Sequence, residues 1–353
     1  YRTSTKITSQ LLAFMQDHAG DIEATTQWFF AEYEDLWTSW VTPEVAAAVK
    51  GERPAGPVRF QRDFTRFPAG IRLNLGIYVE KMIAWVTANF QGLFAWLKAG
   101  VFGIVSLIRR IFTFIPWFIL IILLFLLGWK LDQWKTGLLY ASMIFVVGGL
   151  GLWDEMILTL SIVLTGVLIS VVIGIPIGII MAYNNKVEAF VKPLLDGAQT
   201  MPSFVYLIPA MIFFGLGTVP AVFATIIYSV PPCIRLTNLG IRGVPRAMKE
   251  AAYAFGSSRW QVLTKVELPQ AIPTIMAGIN QTTMAAMSMV VISSMIGAKG
   301  LGENVLIAIN RTDIAMGFDA GISIVFLAII IDRITQRISN SPQRTKSGEE
   351  VRS

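Results

Sequence analysis

Residues 157–183 read ILTLSIVLTGVLISVVIGIPIGIIMAY, a run that contains no charged side chain. A bilayer core needs about 20 apolar residues per helix, so this run is long enough to cross it. Its apolar residues lack the alternation of a half-buried strand, and in lipid only a helix satisfies every backbone N–H and C=O within such a segment. The run therefore indicates a membrane-spanning helix.

Apolar runs of membrane-crossing length recur along the chain from about residue 111 onward. Hydrophobic residues make up 54% of the composition and charged residues only 15%, which excludes a soluble enzyme. The fold class that follows is an all-α polytopic membrane protein with about seven helices. The predicted segments lie near 111–129, 135–153, 157–183, 202–216, 218–232, 276–297 and 316–334. Because the two between 202 and 232 are short and contain Pro209 and Gly215, a hairpin that enters the membrane only partway is the alternative there.

Lysine and arginine are distributed unevenly among the loops between these segments, and cytoplasmic loops are the ones that collect them. One set of loops holds Lys130, Lys135, Lys186, Lys192, Arg235, Arg242, Arg246, Lys249, Arg259, Lys265, Arg333, Arg337, Arg344, Lys346 and Arg352. The opposite set holds only Lys299 and Arg311. We therefore predict that the loop 233–272 and the polar tail 338–353 are cytoplasmic and that the N-terminal region, seven crossings away, is external. This topology explains the net charge of +6 without a nucleic-acid partner.

The N-terminal part of the chain is a separate unit in this interpretation. Residues 1–70 are predicted to form a helical extension, to which we assign no chemistry. Within 71–110, apolar residues repeat at helical spacing, with Lys98 near the middle of the helix. A lysine at that depth is costly in a span, whereas an interfacial helix lets it reach water. We predict an amphipathic scaffold helix in the membrane interface, with an eighth crossing as the alternative.

The sequence argues against several sources of energy and chemistry. Ionisable residues that could relay protons are nearly absent from membrane depth: Asp154, Glu155, Arg235 and Asp332 lie at segment ends, and Asp319 lies near the start of the last segment. The sequence contains no glycine-rich loop ending in Gly-Lys-Ser or Gly-Lys-Thr to hold nucleotide phosphates. One cysteine and one histidine give neither an internal disulfide nor a histidine-rich metal site. We expect no catalytic residue, metal or cofactor in this chain, so energy for uphill transport must come from another subunit.

The cytoplasmic loop of this topology is suited to contact such a subunit. It contains Glu250-Ala251-Ala252, then Gly256, and then Leu268-Pro269. We predict two short helices, 248–255 and 259–267, of which the second stops at the Leu-Pro pair because proline disfavours helix at the residue before it. The small alanines permit close approach of two surfaces, and the glycine permits a turn between the helices. The alternative, for an isolated Glu-Ala-Ala, is an ordinary solvated helix end.

The full spacing of this loop resembles, position for position, the signature loop of the membrane subunits of ATP-binding cassette importers. The one variation is Val266, where that family often has isoleucine. The resemblance implies a type I importer fold over 111–337 and a coupling helix that inserts into a cytoplasmic ATPase. It places at that contact Glu250, Ala251, Ala252, Gly256, Leu268 and Pro269.

Further stretches are similar to one branch of these importers, the glycine betaine/proline permeases: 194–207, 231–237, 273–282, 287–296 and 300–302. The similarity covers roughly 150–337, with a weaker likeness back to about 75. It implies a compact osmolyte as substrate, with glycine betaine first and trimethylamine N-oxide, choline or carnitine as alternatives. It also implies a bacterial inner-membrane assembly with a second copy of the permease, a cytoplasmic ATPase dimer that binds ATP and Mg²⁺, and an external substrate-binding protein.

A neutral pathway for such a substrate would be lined by hydroxyls, amides and aromatic faces, since a fixed counter-charge would trap a zwitterion and aromatic rings attract quaternary ammonium groups. The candidate lining residues are Thr200, Ser203, Phe204, Tyr206, Asn280, Gln281, Thr282, Thr283, Ser288, Ser293 and Ser294. The alternative is that most of these polar groups join helices to one another. Gly174 and Gly178, around Pro176, indicate close helix packing and a kink instead of a site.

Two functions from other classes stay open on the residues alone. A stand-alone channel or ion-coupled carrier would transport without any ATPase, although the missing membrane carboxylates speak against it. A membrane scaffold or sensor would depend on residues 1–70 and would tolerate the change of Gly256 to Asp.

Overall fold

A computed structural model describes Ala31 and residues 75–350 of the chain. Within that part the chain is helical and contains no strand. The helices are α1 Leu75–Asn89, α2 Gln91–Phe114, α3 Trp117–Leu131, α4 Trp134–Gly149, α5 Trp153–Tyr183, α6 Asn185–Thr200, α7 Leu207–Phe214, α8 Thr218–Arg242, α9 Arg246–Ala254, α10 Arg259–Val262, α11 Leu268–Ser294, α12 Leu301–Arg311 and α13 Ile314–Glu350. A 3₁₀ turn over Ser203–Tyr206 precedes α7, and a π-helical turn over Leu263–Glu267 precedes α11. The prediction for residues 1–70 lies outside the described residues.

Each of the seven predicted segments contains a helix, but not all are straight spans. By length and composition, five helical stretches of the described residues could cross a membrane: α2, α5, α8, the continuous stretch Arg259–Ser294, and α13 from Ile314 to Arg337. A sixth arises if α6 and the 203–214 helix, bent by 113° at their junction, form one broken span. The segment predicted at 202–216 is therefore the second part of a bent helix pair, which is either a broken span or the partial hairpin given as the alternative. With 15 and 16 residues, α3 and α4 reach only about 23 Å at 1.5 Å per residue, less than a bilayer core.

Small residues let α5, α8 and α11 pack closely at the centre of the bundle. A Cβ placed on Gly178 would lie 2.6 Å from Cβ of Thr237, and one on Gly174 would lie 2.8 Å from Sγ of Cys233. From the other side, a Cβ on Gly278 would lie 3.0 Å from Cβ of Leu236. The interpretation of Gly174 and Gly178 as packing residues is confirmed, because only glycine leaves room for the backbone of α8 at these points.

The helices α3 and α4 form a hairpin that packs on this centre. A Cβ on Gly128 would lie 2.7 Å from Cα of Gly137, so the two backbones touch close to the turn. Beyond the turn, Tyr140 and Ile144 of α4 join a buried apolar cluster that α5, α11 and α13 share. The hairpin is thus held by burial of apolar side chains on one face, while its other face stays exposed as expected for lipid contact.

Loops that the charge pattern assigns to the same side of the membrane contact one another in the structure. At one end the Gly217 N–H donates to the carbonyl of Ile296 at 2.8 Å, and the Leu301 N–H donates to Oγ1 of Thr159 at 2.9 Å. This end includes the loop that carries Lys299. At the opposite end, Arg337 pairs with Asp132 at 2.8 Å, among the residues predicted to be cytoplasmic.

The predicted scaffold helix at 71–110 is interrupted at Phe90, which lies between α1 and α2, and its second part extends to Phe114. Val101 and Val105 of α2 are buried against α5 and α8, whereas Lys98 is exposed. The length and composition of α2 also suit a span, so they favour the eighth-crossing alternative as much as the interfacial one. The interfacial placement stays a prediction.

Candidate functional site

The segment between α8 and α11 forms a compact helical protrusion. Its first helix, α9, ends in a Schellman motif: the Gly256 N–H donates to the carbonyl of Tyr253 at 2.9 Å, and the Ser257 N–H donates to that of Ala252 at 3.1 Å. Gly256 has a φ of +77°, in the left-handed region that a residue with a Cβ adopts only at a cost. The glycine turn expected between two helices is therefore found.

The second helix of the protrusion begins with a capping box. Ser258 accepts from the Gln261 N–H, and the Gln261 side chain accepts from the Ser258 N–H at 2.8 Å. The expected stop at Leu268-Pro269 is wrong, because the helix runs on through a π turn over Leu263–Glu267 into α11. Pro269 follows the π turn by two residues, and the wider turn accommodates a residue that has no N–H to donate.

The outer surface of the protrusion carries most of the residues predicted to contact an ATPase. Glu250, Ala251, Gly256 and Pro269 are exposed, whereas Ala252 and Leu268 are half-buried. Among the described residues, no atom outside its immediate chain neighbours lies within 4 Å of a Cβ placed on Gly256, so the turn faces away from them. The surface is therefore free for contact with another molecule.

Two aromatic side chains on this surface escaped the sequence analysis. Phe255 is 91% exposed and Trp260 is 71% exposed, on either side of the glycine turn. Apolar rings are enriched at the centres of protein interfaces, and their flanking of Gly256-Ser257-Ser258 was the signal in the sequence. Tyr253 and Met248 add further exposed apolar surface on α9.

The inner side of the protrusion is tied to the bundle by an ion pair between a half-buried lysine and a buried carboxylate, which the sequence analysis also missed. Nζ of Lys249 lies 2.8 Å from Oε1 of Glu267 and donates to the carbonyl of Ile241 at 3.1 Å. The hydroxyl of Tyr183 donates to Oε2 of Glu267. The position of Lys249 immediately before Glu250, and of Glu267 immediately before Leu268-Pro269, could have drawn attention to the pair.

A second polar cluster fixes α6 beside the end of α8. Nη2 of Arg242 lies 2.8 Å from Oε2 of Glu188, and the Asn238 amide donates to Oε1 of the same carboxylate at 3.1 Å. Further along, Nη2 of Arg235 lies 2.6 Å from Oδ1 of Asp196. These contacts hold the amphipathic α6 across the charged end of the bundle, from which α7 returns toward the other end.

The candidate pathway residues divide into an exposed and a buried group. Thr200, Phe204, Gln281 and Ser288 are exposed; Ser203 and Asn280 are half-buried; Tyr206, Thr282, Thr283, Ser293 and Ser294 are buried. The turn with Phe204 and Tyr206 is brought beside α11, since Tyr206 packs in one buried cluster with Met289 and Ile296. On α11 itself Gln281, Met284 and Ser288 share one exposed helix face.

Most of the hydroxyls on α11 bond to their own helix. Thr283 donates to the carbonyl of Ile279 at 2.8 Å, Ser288 to that of Met284 at 3.1 Å, and Ser293 to that of Val290 at 3.1 Å. These three hydroxyls bond within α11, and the role of the other polar residues in joining helices stays a prediction. The buried Oδ1 of Asn280 and Oγ1 of Thr282 find no hydrogen-bond partner among the residues that the structure describes.

Comparison with known proteins bears on this arrangement. A profile described as "binding-protein-dependent transport system inner membrane component" matches residues 174–341, which contain the protrusion and α11. The chain is 48% identical over 268 residues to the glycine betaine/carnitine transport permease protein GbuB of Listeria monocytogenes, covering 75% of this chain and 95% of that protein. The chain belongs to this family of inner-membrane transport components.

Two further members of the family support the same assignment. The glycine betaine transport system permease protein OpuAB of Bacillus subtilis is 45% identical and covers 76% of this chain and 95% of its own length. The glycine betaine/proline betaine transport system permease protein ProW of Salmonella typhimurium is 39% identical, with 90% and 92% covered. This inner-membrane component is accordingly a multi-pass permease, a translocation subunit of the ATP-binding cassette importer class, as the sequence predicted.

Proposed function

We propose that this permease forms the pathway of an ATP-driven importer for glycine betaine and is coupled to a separate ATPase through the protrusion at 248–269. The observation that carries the coupling is the free outer surface of that protrusion, where Glu250, Ala251 and Gly256 face open space beside Phe255 and Trp260. A rigid pair of helices with an exposed aromatic tip is suited to sit in a groove of a partner and to follow its movement.

The substrate class is supported by the names of the relatives and by the chemistry of α11. All three relatives reported above carry glycine betaine in their names, and one also carries carnitine. The open face of α11 presents an amide and a hydroxyl at Gln281 and Ser288 without a charged side chain. The exposed Phe204 ring belongs to the turn that packs beside α11. A neutral face with an aromatic ring suits a compact trimethylammonium zwitterion. Carnitine, choline and trimethylamine N-oxide are the alternative substrates.

The partners follow from the same proposal. A second copy of the permease covers the open face of α11, so that two chains enclose one pathway. An ATPase dimer binds ATP and Mg²⁺ and receives one protrusion from each copy at the cytoplasmic side. An external binding protein delivers the osmolyte at the end of the bundle that holds Lys299. Closure of the ATPase pair draws the two protrusions together and switches the pathway from an inward-facing to an outward-facing conformation.

Reconstitution of the purified permease in liposomes with its ATPase and its binding protein tests this function. Glycine betaine, trimethylamine N-oxide, choline and carnitine are compared for stimulation of ATP hydrolysis and for uptake. We expect glycine betaine to stimulate ATP hydrolysis and Gly256→Asp to abolish this stimulation. The control Gly197→Asp, at an exposed glycine on α6, should keep the stimulation. Uptake without any ATPase would refute the proposal and favour an ion-coupled carrier.

A further inference from the structure

Two neighbouring residues of α9 have different surroundings. Glu250 is exposed on the outer surface of the protrusion, whereas Lys249 turns inward. Nζ of Lys249 lies 2.8 Å from Oε1 of Glu267, on the π turn, and 3.1 Å from the carbonyl oxygen of Ile241, near the end of α8. The inward side chain therefore joins the coupling helix to two other parts of the same chain.

Glu267 is the only charged residue among the described residues that is fully buried, with 2% of its surface exposed. A buried carboxylate is costly unless it is paired and hydrogen-bonded. Both of its oxygens have partners: Lys249 at Oε1, and the hydroxyl of Tyr183 at Oε2. Tyr183 is the last residue of α5, so this carboxylate holds the end of a third long helix.

The cluster thus gathers the ends of α5, α8 and α11 around one lysine of α9. Leu263–Glu267 is the π-helical turn through which α10 continues into α11. Such a turn is wider than the α-helix on either side, and π turns of this kind occur frequently at functional sites. A movement of α9 can reach α11 along the backbone, and the Glu267 carboxylate adds a direct polar link from α9 to the last residue of α5. The neighbouring Arg242 of α8 also donates to the Met181 carbonyl of α5, at 2.9 Å.

We propose that Lys249 and Glu267 are positioning residues that transmit the movement of the coupling helix to the ends of α5 and α11. This inference rests on the proposed function, since it assumes that an ATPase moves α9. The ion pair keeps the protrusion and the helix ends together as one body, so that a displacement of α9 displaces the helices of the pathway. Without the pair, α9 still binds the ATPase through its outer surface, but it moves relative to the ends of α5 and α11 and does not displace them.

The experiment distinguishes a loss of transmitted movement from a loss of ATPase binding. Lys249→Met and Glu267→Gln are each reconstituted with the ATPase and the binding protein, and uptake of osmolyte is measured per ATP hydrolysed. We expect both variants to co-purify with the ATPase and to hydrolyse ATP, with uptake per ATP reduced by about fivefold or more, the lower end of typical coupling between sites. Lys265→Met, at an exposed lysine of the same π turn, is the matched control and keeps the unaltered ratio.

A charge exchange makes the result specific to the pair. We expect Lys249→Glu combined with Glu267→Lys to recover uptake per ATP relative to the single variants. An unchanged ratio in both Lys249→Met and Glu267→Gln would overturn the inference. Loss of ATPase binding and a lower melting temperature in both, without recovery by the exchange, would also overturn it in favour of a role in folding alone. If the unaltered protein shows no ATP-dependent uptake, the proposed function itself fails.

Discussion

Nη2 of Arg337 lies 2.8 Å from Oδ2 of Asp132, so an ion pair joins α13 to the turn between α3 and α4. Oδ2 of Asp132 also accepts from the Thr136 hydroxyl at 2.9 Å. The contact puts the loop of Lys130 and Lys135 at the same end of the bundle as the C-terminal part of α13. Sequence reasoning grouped these residues on charge alone, and the structure groups them by contact.

This grouping predicts the sides of the membrane from which single cysteines react. Cys233 is the only cysteine of the chain and is buried, so Cys233→Ser gives a clean background. In that background we expect Asn310→Cys, exposed at the end of α12, to react with a membrane-impermeant maleimide on intact cells. Ser258→Cys, exposed on the protrusion, should react only after the cells are opened. Reaction of both from the same side would contradict the topology.

The contribution of the Asp132–Arg337 pair to stability is expected to be small. Both side chains keep contact with solvent, and exposed ion pairs contribute about 0.2–1 kcal/mol. Asp132→Asn should therefore lower the free energy of unfolding by less than about 1 kcal/mol. Thermal melting of the purified protein in detergent, at low and at high salt, measures the effect. A large loss that persists at high salt would mean that the pair does more than its exposure indicates.

The packing of α5 on α8 predicts a larger effect for Gly178→Ala. The new Cβ would lie 2.6 Å from Cβ of Thr237 and 2.7 Å from the carbonyl oxygen of Ile234, and the backbone atom cannot rotate away. Overpacking of this kind costs about 1–3 kcal/mol. Gly321→Ala on α13 is the matched control, because its new Cβ has no neighbour within 4 Å in the described part of the chain. We expect a lower melting temperature for Gly178→Ala only; equal melting of the two variants would refute the close contact.

The features that could be predicted from the sequence are those set by local interactions. The span at 157–183 and the turn at Gly256 could be predicted because hydrophobicity and glycine conformation act locally. The continuation of the helix through Pro269 could not, because a π turn compensates for the proline. The turn after the bend between α6 and α7 packs against the adjacent α8 and against α11, which is far along the chain. The same holds for Lys249 and Glu267, whose pairing requires the protrusion to be folded against the end of α5.

The placement of α2 predicts a second labelling result. Val101 and Val105 pack against Ile162 and Val222, which lie in the half of the bundle that contains Gly217. If α2 lies in the interface of that side, Gln91→Cys and Arg110→Cys should both react with the impermeant maleimide from outside. Reaction of the two cysteines from opposite sides would show that α2 is an eighth crossing.

The aromatic tip of the protrusion predicts a loss of ATPase binding without a loss of stability. Trp260 is 71% exposed, so Trp260→Ala removes little packing from the free permease. Buried tryptophans at the centre of an interface often contribute 2 kcal/mol or more, which corresponds to roughly thirtyfold in affinity. Trp96→Ala is the matched control, since Trp96 of α2 is also 71% exposed but lies outside the protrusion. We expect weaker binding of the ATPase by Trp260→Ala alone, measured by co-purification and titration, with unchanged melting of both variants. Equal binding by the two would place the ATPase contact elsewhere than beside Gly256.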